Sequence, residues 1–325
     1  MRRRLCLRRE FFIIAGAVSQ PGGPSVTAPQ EGIFVEGPPC NTFLEYDVPA
    51  GGEPARVRAA VAAGLGLARQ EGQYLVVGFG DALWRRLAPG RAPEGLRPFA
   101  AIGDGGGQHA PATQRDIWYW LQGPRPDANF DLALGIDRAL RGVAELKLET
   151  SGFKYHGDRD LIGFVDGTGN PKDREAKAEA ALVPGAGGGA FVLTQQWVHD
   201  LPRFEALALG EQEAVVGRTK VEDIELEGAA MPPDSHVSRT DVSEDGVAMK
   251  IYRRSAPYGT VREHGLYFVA FACDLHRFDI QLRRMYGLAG DGLSDRLIDF
   301  SRAVTGAYWF APSAADLAAV FRAKG

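Results

Sequence analysis

The order of apolar periodicities is repeated along the chain, and that repetition limits the fold more than any other feature. In the first half, residues 41–48 read as a strand, 55–71 carry Ala, Leu and Val at helical spacing, and 73–79 form a buried strand. A short helix starts at 81–87. Residues 116–121 are an aromatic-rich strand, 130–144 return to helical spacing, and 145–150 alternate again. This is β-α-β-β-α-β, the ferredoxin-like unit. The second half repeats it. Residues 190–198 are a strand and 202–216 are helical. Residues 236–241 and 249–253 are strand segments around an Asp245-Gly246 turn. Residues 265–271 are a buried strand, 278–288 a helix, and 306–310 the closing strand. The expected fold is α+β, a duplicated ferredoxin-like architecture of antiparallel sheets with peripheral helices. Residues 31–169 form the N-terminal half and 170–325 the C-terminal half. The divide falls in the Gly/Pro/Ala-rich stretch 170–189.

A chain of 325 residues buries a large core. Its net charge of −4 and pI near 5.9 leave no basic footprint for nucleic acid. No apolar run approaches the ~20 residues of a membrane span. Cys6, Cys40 and Cys273 are too few and too far apart for a zinc motif or a disulfide framework, which suits a cytoplasmic protein. Residues 1–30 read as a flexible lead-in or as a start called too early, with Val18 the preferred true start. The alternative to a cytoplasmic location is export through a twin-arginine signal at residues 1–20, drawn from Arg8-Arg9 and the apolar stretch after it. Residues 103–107 are Gly-rich but lack the Gly-Lys-Ser/Thr ending of a phosphate loop, so they read as an ordinary loop.

One bend stands out chemically: Gly163-Phe164-Val165-Asp166-Gly167-Thr168-Gly169-Asn170-Pro171. An acid sits among glycines that let a large flat group approach the main chain. The apolar residues ahead of it drive Asp166 inward. Alone, an Asp-Gly bend with Thr and Asn nearby is an ordinary surface turn.

This bend and its lead-in, Tyr155-His156 with Arg159-Asp160-Leu161, resemble the signature of the dye-decolourising peroxidases, in particular the bacterial cytoplasmic B-class branch. The resemblance runs from about Glu31 to Pro312 and departs at Gly169, where the family carries Glu. It implies the same duplicated fold and one haem b per chain. It also implies a haem-dependent peroxidase that reduces hydrogen peroxide and oxidises small aromatic or dye-like one-electron donors through a ferryl intermediate, as a homo-oligomer. Among six His residues it assigns His236, in Ser235-His236-Val237-Ser238-Arg239, as the proximal iron ligand, with His156 the runner-up. Asp295 matches the acid that tunes this imidazole better than Asp299 does. Arg253, in Ile251-Tyr252-Arg253, matches the distal Arg, and Ser255, two residues on, shares its strand face. Leu266 and Phe268 alternate on one strand and suit an apolar distal ceiling. Arg218, in Gly217-Arg218-Thr219, is the candidate partner of a haem propionate.

In that scheme Asp166 is the proton-transfer base, with an ordinary pKa near about 3.9. Arg253 stabilises negative charge and is at least as important as Asp166. Trp118, Trp120, Trp197 and Trp309 are candidates for relaying electrons from bulky donors. Gly169 in place of Glu argues against a manganese-oxidising site. Two rivals are a haem-handling, iron-releasing (deferrochelatase-like) protein with weak peroxidase activity and a ferredoxin-like binding module without cofactor. Asp166, Arg253 and His236 together disfavour the second.

Overall fold

The computed structural model describes residues 28–103 and 108–322; the export-signal reading of residues 1–20 and most of the Gly-rich run lie outside them. The N-terminal unit runs β1 (Cys40–Asp47), α1 (Pro54–Leu65), β2 (Tyr74–Phe79), α2 (Asp81–Leu87), β3 (Ile117–Gly123), α3 (Pro126–Leu140) and β4 (Glu145–Phe153). Proline occupies the first turn of α1 and of α3, where its missing N–H costs nothing. The strands order as β4-β1-β3-β2, all antiparallel. This is the ferredoxin-like arrangement expected from the pattern.

The second unit repeats that order with more embellishment. It contains α4 (Arg174–Ala181), β5 (Ala190–His199), α5 (Leu201–Glu205), α6 (Leu209–Val216), α7 (His236–Thr240), β6 (Ser243–Glu244), β7 (Val247–Ala248), β8 (Tyr252–Arg253), β9 (Ala256–Gly259), β10 (His264–Ala272), α8 (His276–Met285), β11 (Ser301–Ala303), β12 (Ala307–Ala311) and α9 (Ala314–Phe321). Its main strands order as β9-β10-β5-β12. The two sheets meet at both edges, through Gly152 beside Tyr258 and Phe79 beside Phe310, so eight strands close into a ring.

The second unit departs from the pattern reading in four places. Residues 236–241, expected as a strand, are the short helix α7, because the Ser235 side chain caps it by accepting from the Ser238 N–H. The segment 202–216 is two helices, broken between Glu205 and Leu209. Of 249–253 only Tyr252–Arg253 is strand, and the true second strand of the unit is β9. The divide at 170–189 holds α4, whose N-cap Asp173 accepts from the Ala176 N–H.

Inside the ring, Phe43, Trp118, Trp120, Tyr267 and Trp309 are almost fully buried, and Phe43 stacks on Tyr267 with ring centroids 3.9 Å apart. One carboxyl lies among them. Glu45 is 1% exposed and accepts the Tyr267 hydroxyl at 2.7 Å. Burial pushes it up to about 7, against the opposing pull of Tyr267 and Arg115. Among the described residues no helix is long and apolar enough to cross a membrane.

Candidate active site

The outer face of the β5–β10 pair carries the site. Side chains alternate along a strand, so Val192 and Thr194 of β5 fill the ring while Leu193, Gln195 and Trp197 face outward into a cavity. On β10, Tyr267 points into the ring, and Leu266 and Phe268 line the same cavity, as expected. Residues of α6, α7 and α8 cover it, among them Val216, Val237, Phe278 and Met285. The cavity encloses about 1390 Å³ of atom-free space, including open solvent at its mouth.

His236 begins α7 and lines this cavity. Its Nδ1 lies 2.6 Å from Oδ2 of Asp295, which is fully buried. The other Asp295 oxygen accepts the Leu297 N–H, and the Asp295 N–H donates to the Met285 carbonyl. Arg239, also on α7, is 1% exposed and ties the helix to α8 through the Arg284 carbonyl and Asp291. The imidazole is therefore oriented through Nδ1 and through the anchoring of its helix, and Nε2 has no hydrogen-bond partner among the described residues. Asp299 lies apart, holding Gln108. His156 is exposed at a left-handed position (φ 38°) outside the cavity, which removes it as a ligand candidate.

The bend enters from the connection between the halves. Ile162 and Phe164 are buried with Phe204, Val215 and Phe300, which anchors it. The Asp160 N–H donates to the Phe164 carbonyl and the Asp166 N–H to the Asp158 carbonyl. Gly167 has φ +86°, a conformation that side chains resist, so the chain turns immediately after Asp166. Asp166 Oδ1 is 3.9 Å from Arg253 Nε, and both residues line the cavity. Burial raises the Asp166 carboxyl above its ordinary value. Arg253 pulls it back, while the Asp160 carboxylate pushes it further up. The surroundings of Asp166 thus favour an upward shift from the ordinary value expected from sequence, although its side chain keeps 28% of its surface exposed.

Two expected residues sit differently. Ser255 does not line this cavity but a polar one beside it, which shares Asp166 and Arg253 as a common wall; its hydroxyl accepts the Val269 N–H at 3.4 Å. Arg218 does line the cavity, but its Nε and Nη2 donate to Asp223 and its Nη1 to Glu225, each at 2.7 Å. A propionate would share Arg218 with those acids. Sequence reasoning missed a buried chain in the cavity wall. Ser301 Oγ is 2.7 Å from Nδ1 of His199, whose Nε2 is 3.1 Å from Asp160 Oδ1. It also missed Asn170, whose position next to Pro171 gave only a turn signal. Of the candidate tryptophans, Trp197 lines the cavity, while the other three fill the ring.

The donor set fits the haem that the sequence resemblance implies. Among the described residues there is no cluster of three or more His, Cys, Asp or Glu for a bare ion. One oriented imidazole with a buried carboxylate behind it matches a metal whose other ligands come from a porphyrin. Arg253 Nε is buried and lacks a hydrogen-bond partner, so it is available to a ligand in the cavity.

The sequence model for the Dyp-type peroxidase N-terminal region matches residues 30–154, and that for the C-terminal region matches 157–316. Dye-decolorizing peroxidases of Mycolicibacterium paratuberculosis and Rhodococcus erythropolis are each 35% identical; the matches cover 85% and 84% of this chain and 81% and 83% of those proteins. Among solved structures, a dye-decolorizing protein from V. cholerae is 37% identical with a TM-score of 0.80, covering 89% of this chain and 98% of its own. DypB from Rhodococcus jostii RHA1 is 33% identical with a TM-score of 0.80, covering 91% and 98%. A DypB variant with the same identity and TM-score is in complex with heme. With matches along nearly the whole chain, and with His236, Asp166 and Arg253 brought to one cavity, the chain belongs to the Dyp-type, dye-decolourising peroxidase family.

Proposed function

We propose that this peroxidase reduces hydrogen peroxide at a haem b held by His236, and oxidises small aromatic or dye-like one-electron donors. The observation that carries the reading is the 2.6 Å His236–Asp295 pair in the same cavity as Asp166 and Arg253. Haem, when bound, supplies the redox chemistry that cleaves the peroxide O–O bond. The chain's residues prepare and direct it. The His236 Nδ1–H donates a hydrogen bond to the Asp295 carboxylate, which leaves Nε2 unprotonated and more basic as a ligand. Ionised Asp166 accepts a proton from one oxygen of hydrogen peroxide and returns it to the other, so that oxygen departs as water. The Arg253 guanidinium, always charged, stabilises negative charge on the oxygens as the proton moves. Leu266 and Phe268 keep that wall apolar and exclude competing water. Bulky donors then give up electrons from outside the cavity.

The test is an absorption spectrum of the haem-loaded protein before and after one equivalent of hydrogen peroxide, for wild type and His236→Ala. The wild-type Soret band should shift rapidly and return on adding a phenolic donor, and His236→Ala should lose haem or its reactivity. A wild-type haem that only bleaches and releases iron would favour the haem-handling reading. A normal spectrum in His236→Ala would remove the ligand assignment.

A further inference from the structure

Arg253 stands on the two-residue strand β8, a short platform for a group on which the proposed chemistry depends. Opposite it on β10 is Ala270. The next residue, Arg254, donates its N–H to the Val269 carbonyl at 2.7 Å. In an antiparallel ladder adjacent positions alternate between bonded and non-bonded pairs. The N–H and C=O of Arg253 therefore point away from β10, toward the bend. There the Asn170 side chain meets both. Asn170 Oδ1 accepts the Arg253 N–H at 2.9 Å, and Asn170 Nδ2 donates to the Arg253 carbonyl at 2.9 Å. A carboxamide presents one donor and one acceptor in a plane, as a peptide does, so Asn170 replaces a missing neighbouring strand. Its own N–H closes the turn onto the Gly167 carbonyl at 2.9 Å.

We propose that Asn170 is a positioning residue for Arg253: the one turn that carries Asp166 also fixes, through the Asn170 amide, the backbone from which Arg253 reaches the cavity. The spacing of the two groups then depends on four peptide bonds and two hydrogen bonds, and not on how the two halves pack. Neither Asp nor Ala reproduces both bonds. Asp keeps the acceptor but turns the donor into a second acceptor facing the Arg253 carbonyl. Ala removes both.

The inference rests on Arg253 acting on peroxide, and the experiment separates the two claims. Asn170→Ala and Asn170→Asp are made alone and combined with Arg253→Leu, all haem-loaded. Amide hydrogen exchange over residues 250–255 tests the hold on the strand without reference to catalysis. The Arg253 amide should exchange at least about 10-fold faster in Asn170→Ala, while the amides of β5 keep wild-type protection. The second-order rate with peroxide should fall about 10- to 100-fold, the range for a misplaced catalytic group. In the Arg253→Leu background the same change should cost almost nothing further, because the group it positions is gone. Unchanged exchange at Arg253, or full additivity in the double variant, would overturn the proposal. A wild-type rate in Arg253→Leu alone would remove the catalytic reading of Arg253, and the exchange result would then decide the hold by itself. Should Asn170→Ala fail to fold, Asn170→Asp carries the same cycle, with weakened protection and a reduced rate expected.

Discussion

Replacing Glu45 with Gln should change how stability depends on pH. The carboxyl lies inside the strand ring, fully buried, with the Tyr267 hydroxyl as its close donor. Folding moves it from an ordinary 4.5 to about 7, so the folded chain holds this proton more tightly than the unfolded chain. Below 4.5 both states are protonated and the neutral carboxyl costs nothing. Between 4.5 and about 7 the unfolded chain gives up the proton first, and stability falls as pH rises. Above that range the full loss applies, about 3 kcal/mol at about 1.4 kcal/mol per pH unit. Gln cannot titrate. Its extra N–H group costs about 1–3 kcal/mol if left without a partner in the ring, but that cost is the same at every pH. The prediction therefore concerns the gap between the two melting temperatures, not either value. From about pH 4.5 to about pH 8 the gap should move in favour of the variant by on the order of 5 °C, at roughly 2 °C per kcal/mol for a chain of this size. Calorimetry or fluorimetry of the haem-loaded proteins measures it. Parallel melting curves across that range would refute the placement of a raised, neutral carboxyl inside the ring.

Four further outcomes follow from the site. Asp295→Asn withdraws the anion behind His236 Nδ1, so the iron should become easier to reduce, with a higher midpoint potential by spectroelectrochemistry; an unchanged potential would contradict the pairing. Asp166 must be ionised to take the peroxide proton, and its carboxyl is raised, so the rate with peroxide should fall on acidification at a pH above the ordinary value of 3.8. Arg253→Leu removes the largest influence holding that carboxyl down and should move the acid limb to still higher pH; a limb that stays in place would refute the coupling. At Gly169 an added Cβ would lie 3.2 Å from Arg253 Nη2. Gly169→Glu should therefore place a carboxylate on the guanidinium and weaken fluoride binding to the ferric enzyme about 10-fold or more, whereas Gly169→Ala, carrying the contact without the charge, should change it little; equal effects would point to sterics alone.

Much of this architecture was legible in the pattern, and the failures share a cause. Long amphipathic segments such as α1 and α3, and buried strands such as β2 and β10, announce themselves because each spans several periods. α7 holds five residues, too few for a helical period to form, and its start is set by a Ser235 cap that reads equally well as a strand end. β8 is shorter still, and its second partner is a side chain. The family resemblance picked out Asp166, His236, Arg253, Leu266 and Phe268, which the fold brings to one cavity. Periodicity cannot find groups that act across long stretches of sequence. The His199–Asp160 pair spans 39 residues and Asn170–Arg253 spans 83. Neither spacing belongs to any local element.

The same unit is used twice, and the copies differ in how their helices lie on the outer face of the sheet. In the N-terminal unit, α1 and α3 lie directly on the outer face of their sheet. Val57, Val61, Leu132 and Ile136 pack there with Leu44, Tyr46, Tyr119 and Leu121 into a filled core. In the C-terminal unit the equivalent outward residues, Leu193, Gln195, Trp197, Leu266 and Phe268, line the cavity. The first helix of that unit is split into α5 and α6, and the insertion carrying α7 is wedged between α6 and α8. The split and the insertion keep the helices off the sheet, and the helix so inserted begins with His236. Asp166 arrives from the connection between the units and Arg253 from the strand beside β10. The cavity thus lies between the helices and the sheet of a ferredoxin-like unit, and the inserted helix that helps to wall it also brings His236 to it.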